Sequence, residues 1–219
     1  MKWPFKLNLL QYDAEEATAK LARSCCDYVN PLTLAERKEK YLFLNMSFGQ
    51  NPSYFKDYLT DVREILEFSD EMHKEGGELF WNFGDVKRND HNFMCIHVRT
   101  TDFVRRHMAT NMTNAVDAAR DIARRKNISQ YLIFGDNQDY MRNMSFLLTD
   151  NATSSDKVLI SNFKDTMDFY ASSELCSSFL MTAANSTFGW WLAFFARDQN
   201  SVFYLNDRIL ATNEMPTRD

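Results

Sequence analysis

From Phe93 onward the chain alternates short apolar runs with amphipathic segments, and few folds accommodate that rhythm. The runs are Phe93–Val98, 131–134, 157–160, 178–182 and 202–205. Runs this short and this apolar read as strands buried on both faces. The segments between them, 110–125, 138–148, 164–175 and 188–197, carry apolar residues at helical spacing. Met112, Ala115, Val116, Ala119, Ile122 and Ala123 form one such face. Strand and helix in strict alternation predict βαβ units, and hence a parallel sheet with helices on both faces. The expected class is α/β, with a Rossmann-like sheet over 93–219.

Residues 1–92 read differently. Helices are expected over 14–28, where Ala17, Leu21 and Ala22 share a face, and over 34–44 behind Pro31. A clearer helix is expected over 54–68, where Tyr54, Tyr58, Val62, Ile65 and Leu66 recur at helical spacing after the start signal Asn51-Pro-Ser53. Lys74-Glu-Gly-Gly77 is expected to break the pattern. The chain is therefore divided into a helix-rich region, 1–92, and a Rossmann-like region, 93–219.

Composition narrows the function. With 219 residues, 45% hydrophobic, the chain can bury a core of one domain or two small ones. A net charge of −5 argues against nucleic acid as a partner and makes the basic residues near Arg99 a local patch. Cys25, Cys26, Cys95 and Cys176 lack metal-type spacing; a disulfide is possible, with its partners open. The triplets at Asn45, Asn111, Asn127, Asn143, Asn151 and Asn185 are glycosylation acceptors, more than chance supplies, and favour a secretory lumen. Asn185 has a second possible use. The first ten residues contain no apolar core of signal-peptide length, and no run is long enough to span a membrane.

The strand ends hold the candidate chemistry. His97, Arg99 and Asp102 follow the first strand, and Gly135, Asp136 and Gln138 follow the second. Asn185, Ser186 and Thr187 stand directly before a helix. Parallel sheets bind ligands outside the carboxyl ends of their strands. Free N–H groups at a helix start favour an anion, and an arginine opposite can grip a phosphate. Ordinary N-capping by Ser186 or Thr187, and a merely solvated charged loop at Arg99, are the plainer readings. Other constellations are missing: no Gly-rich phosphate loop, no Asp-x-Asp metal pair, no zinc spacing among the histidines and no Gly-x-Ser-x-Gly elbow. Trp190 and Trp191 lie in an all-apolar helix and read as core.

Two of these stretches resemble a known family. His97-Val-Arg-Thr-Thr-Asp-Phe103 is similar to the His-x-Arg-Arg-x-Asp motif of GDP-fucose-dependent fucosyltransferases. Asn185-Ser-Thr-Phe-Gly-Trp-Trp191 resembles the second motif of the α-1,2 group, glycosyltransferase family 11. The segments 131–136 and 49–55 resemble the family's intervening strand and its lead-in.

The resemblance implies a GT-B-like glycosyltransferase with a donor-nucleotide lobe at 93–219 and an incomplete acceptor lobe at 1–92. It implies inverting transfer of L-fucose from GDP-fucose to a galactose hydroxyl of a glycan, with no metal or other cofactor. It also implies a Golgi setting, with the membrane reached only through an anchor absent from these residues. Carried over, Arg99 binds the diphosphate and neutralises the leaving group. His97, Asn185, Ser186 and Thr187 line the donor, and Asp168 contacts the base or ribose. Asp102 is either a general base or a brace for Arg99. The motif's second arginine is Thr100 here. That departure, with the short leading region, leaves open an impaired or truncated relative that keeps the fold and GDP binding.

Overall fold

The computed structural model describes residues 16–21, 27–45, 51–82, 92–106, 109–149 and 157–206. The chain forms two compact units, 1–66 with 211–219, and 67–210.

In the first unit β1 (Glu16–Lys20) and β2 (Tyr41–Asn45) pair in parallel, Glu16 opposite Tyr41. These strands replace the two helices expected over 14–28 and 34–44. The deciding signal has period two: Ala19 and Leu21 are buried while Lys20 between them is exposed. Both stretches are short enough that their apolar spacing fits either period, and pairing with a distant strand chose β. The helix expected over 54–68 is shorter than its spacing implied. Tight turns at Pro52–Tyr54 and Lys56–Tyr58 lead into α1 (Leu59–Ile65), and Asn51 caps the first turn by accepting from the Ser53 N–H at 2.9 Å.

The second unit begins before the sheet. Helix α2 (Asp70–Asn82) runs straight through Lys74-Glu-Gly-Gly77, where a break was expected. Gly76 lies against the Tyr170 ring, so close that any Cβ would overlap it. The first glycine is thus a packing contact, and the helix is held by an aromatic cluster in which Tyr170 meets Phe68 edge-on and stacks on Phe80 at 5.6 Å. For the same reason residues 67–82 group with the sheet, and the compact units part at 66/67.

The alternation then follows as expected: β3 (Phe93–Val98), α3 (Met112–Lys126), β4 (Gln130–Gly135), α4 (Gln138–Thr149), β5 (Lys157–Ile160), α5 (Asp165–Leu175), β6 (Cys176–Met181), α6 (Thr187–Phe195) and β7 (Val202–Tyr204). All pairings are parallel, in the order β5-β4-β3-β6-β7. β3 is buried at every position. Met94, Ile96 and Val98 pack towards α3 and α4, whereas Phe93 and Cys95 pack towards α5 and α6. A disulfide joins Cys95 to Cys176 and so ties β3 to β6. Trp190 and Trp191 are half-buried in a ring cluster with Phe194 and Phe195, and neither is wholly core. Among the described residues no helix is long and apolar enough to cross a membrane.

Candidate functional site

The strand order reverses between β3 and β6. The chain leaving β3 passes to α3 on one side, and the chain leaving β6 passes to α6 on the other. Their carboxyl ends therefore meet at a topological switch point, the usual ligand position of such sheets. The segments singled out from the sequence meet there.

Arg99 leaves the end of β3 with its side chain about one-third exposed, at 32%. Its Nε donates to Asp102 Oδ1 at 2.8 Å and lies 3.2 Å from Asp136 Oδ2. The hydrogen bond to Asp102 is the main cause that raises the arginine's pKa above its ordinary value, and Arg99 in turn holds the exposed Asp102 below the usual carboxylate range. Both carboxylates use the Nε side. Among the described residues no group bonds the two terminal guanidinium nitrogens, so a two-pronged donor is left over.

The loop carrying Arg99 is fixed from two sides. Thr110 donates its N–H to the Arg99 carbonyl at 3.1 Å and accepts the Arg99 N–H on its hydroxyl at 3.1 Å. Thr182, just past β6, donates both its N–H and its hydroxyl to the His97 carbonyl. That commits the Thr182 proton, so the 2.6 Å contact between the Thr110 and Thr182 hydroxyls has Thr110 as its donor. On the other side Asp136 accepts from the N–H groups and hydroxyls of Thr100 and Thr101. Burial alone would push the Asp136 carboxyl up, but these donors and Arg99 outweigh it and keep the group ionised. Thr110 and Thr182 carried no signal in the sequence, since neither belongs to a charged or motif-like group.

His97 ends the buried face of β3 and is fully buried. Its Nε2 lies 3.4 Å from Ser186 Oγ, and its Nδ1 faces the backbone of Gly189 with no hydrogen-bond partner among the described residues. Burial lowers its pKa to about 3, so the ring is neutral. Ser186 is the N-cap of α6, its Oγ accepting from Gly189 N–H at 3.2 Å. The N–H groups of Thr187 and Phe188, in the first turn, have no partner within the helix. Thr187 is exposed and Asn185 half-buried in the turn before it.

Asp168 belongs to the β5–α5 side. It is buried in α5 and accepts a short hydrogen bond from the Ser161 hydroxyl. Burial raises its pKa to about 7. His97, Arg99, Asp102, Ser186 and Thr187 thus gather at the switch point, whereas Asp168 stands on the β5 flank. Among the acceptor triplets, Asn45 ends β2, Asn111 caps α3, Asn127 ends α3 in a left-handed conformation, and Asn143 lies on the exposed face of α4. Asn151 lies outside the described residues, as do His91 and His107.

The sequence profile of glycosyl transferase family 11 matches residues 36–213, most of the chain. The chain belongs to glycosyltransferase family 11. Two Caenorhabditis elegans relatives are each named galactoside 2-alpha-L-fucosyltransferase. One is 26% identical over 208 residues, covering 82% of this chain and 50% of its own length. The other is 24% identical over 219 residues, covering 91% and 59%. This family 11 chain spans about half the length of the curated relatives it matches. Its fold is similar to that of POFUT1, in keeping with the GT-B-like α/β class expected from the sequence. A POFUT1 structure in complex with GDP-fucose aligns with TM-score 0.55 and 10% identity, covering 78% of this chain and 55% of that one. A complex with GDP aligns at 0.51 and 10%, covering 88% and 74%.

Proposed function

We propose that this chain acts in an inverting fucosyltransferase that moves L-fucose from GDP-fucose to a galactose hydroxyl of a glycan. The observation that carries this is Arg99. Two carboxylates hold it through Nε, and among the described residues no group bonds its terminal nitrogens, at the carboxyl edge of the sheet where α6 also starts. A planar two-pronged cation and the unpaired N–H groups of a helix start, on one edge of a sheet, suit a diphosphate. Membership of family 11 and the named relatives support the sugar donor. In this reading the acceptor oxygen bonds to C1 of fucose as the C1–oxygen bond to the diphosphate breaks. The electron pair departs on GDP, where Arg99 neutralises it, and the acceptor's proton is released.

Ser186 and Thr187 supply further donors to the phosphates, with Asn185 beside them and His97 behind Ser186. Asp168 serves the nucleoside side. Asp102 acts as the brace of Arg99: its charge is engaged there, and a carboxylate so easily ionised is a weak base. Residues 93–219 hold the donor in this reading, with α2 packed on them, and the acceptor lobe is drawn from the residues before α2. The buried Cys95–Cys176 disulfide and the acceptor triplets support a lumenal, Golgi setting.

The experiment is GDP-fucose turnover with a β-galactoside acceptor, run beside calorimetric titration with GDP. Arg99→Ala is expected to lower turnover and GDP affinity at least tenfold, since a charged hydrogen bond contributes ~1.5–3 kcal/mol. Absence of GDP binding in the parent protein would overturn the proposal. Binding without turnover would support the reading of Thr100 as the mark of an impaired relative.

A further inference from the structure

Asp136 stands in the turn after β4 and reaches across to the loop that leaves β3. Its Oδ1 accepts from the Thr100 N–H at 3.0 Å and lies 3.4 Å from the Thr100 hydroxyl. Its Oδ2 accepts from the Thr101 N–H at 3.1 Å and, in a short bond, from the Thr101 hydroxyl. The same oxygen lies 3.2 Å from Arg99 Nε. One carboxylate thus accepts hydrogen bonds from two consecutive residues, Thr100 and Thr101, and pairs its charge with the residue before them, Arg99.

Electrostatics alone gives no reason for this group to be here. Asp102 already balances Arg99, so Asp136 leaves the local cluster with a negative excess beside a site for an anion. A like charge near a bound anion weakens it. What Asp136 does supply is geometry. Its two oxygens accept from backbone N–H groups as well as from hydroxyls, which fixes the path of the loop and, with it, the direction of the guanidinium. Thr100 fits the same account. It stands where the motif resembled in the sequence carries a second arginine, yet it is 4% exposed and its hydroxyl is directed at Asp136.

We propose that Asp136 is a positioning residue for the donor: it fixes the 99–101 segment so that the terminal nitrogens of Arg99 face the diphosphate. This rests on the reading of the switch point as a GDP-sugar site. Thr100 and Thr101 are its partners, and the hydroxyl at position 100 takes over part of the order that a second cation would otherwise provide.

The test is a thermodynamic cycle on the full chain, with GDP titrated by calorimetry into the parent, Asp136→Asn, Arg99→Ala and the double variant. Asp136→Asn removes a negative charge next to an anion, so a bystander carboxylate predicts equal or tighter GDP binding. The positioning role predicts binding at least fivefold weaker, and a change of less than twofold from the same substitution once Arg99 is absent. Thr101→Val, at an exposed position, removes one hydroxyl and no charge; a two- to fivefold loss is expected and tests the proposal even if Asp136→Asn does not fold. Equal or tighter GDP binding in either single variant would overturn the positioning role while leaving the donor site intact. A parent protein that does not bind GDP would overturn the donor site itself.

Discussion

Ser186 Oγ accepts a hydrogen bond from the Gly189 N–H and lies 3.4 Å from His97 Nε2. The bonding pattern assigns the tautomer. With the proton on Nε2, the imidazole donates to Ser186, and the buried Nδ1 is left as an acceptor without a partner among the described residues. The other tautomer would bury an unpaired N–H, which costs more. Ser186 Oγ then accepts twice, and its own proton is free for a ligand.

Ser186→Ala is therefore expected to do more than remove a cap. Loss of an N-cap costs roughly 1 kcal/mol, and an unpaired buried His97 N–H adds about 1–3 kcal/mol. Urea unfolding of the variant is expected to show a loss of about 2–3 kcal/mol. A loss of no more than an ordinary cap would show that His97 does not depend on Ser186.

His97 and Asp168 are expected to give stability opposite pH dependences. The folded-state pKa of His97 is lowered to about 3 from 6.5, so the unfolded chain binds its proton first. Its contribution is present above 6.5 and is lost as pH falls from there towards 3. At ~1.4 kcal/mol per pH unit, the fall from pH 7 to 5 costs about 2 kcal/mol. His97→Gln is expected to remove that slope in urea midpoints.

For Asp168 the sign reverses. Its pKa is raised from 3.8 to about 7 by burial, so its contribution is complete below 3.8 and is lost as pH rises through 7. Asp168→Asn keeps an acceptor for the Ser161 hydroxyl and cannot ionise. The variant is expected to gain on the parent as pH rises from 4 to 7, by about 3–4 kcal/mol, and to level off above that. Chemical denaturation across this range checks it, and a pH-independent gap would show that Asp168 ionises freely.

The two glycines of α2 are expected to respond in opposite directions. A Cβ at Gly76 would overlap the Tyr170 ring, whereas one at Gly77 meets nothing. Gly76→Ala is expected to destabilise by about 1–3 kcal/mol through overpacking. Gly77→Ala is expected to stabilise by about 0.5–1 kcal/mol through helix propensity. Thermal melts of the two single variants separate packing from propensity.

The disulfide between Cys95 and Cys176 closes a loop across 81 positions between two buried sulfurs. Cys95→Ala with Cys176→Ala is expected to cost about 2–5 kcal/mol. Thiol titration of the parent, before and after denaturation without reductant, is expected to find neither sulfur reactive.

The sequence by itself determined the sheet and its helices. A strand buried on both faces must be apolar throughout, and its covering helices must be amphipathic, so Phe93–Val98 and Met112–Lys126 are written plainly in residue type. It also marked Arg99, Asp102 and Ser186, because charges and caps at strand ends stand out from an apolar background. Pairing was decided only in three dimensions. β1 and β2 lack a distinctive period until each finds the other, and α2 crosses two glycines because Tyr170 fills the space beside the first. The sulfur pair could not be chosen from four cysteines before β6 was laid next to β3. Asp136 was visible as an acid after a strand. What it does depends on donors from Thr100 and Thr101, which only the parallel register of β3 and β4 brings within reach.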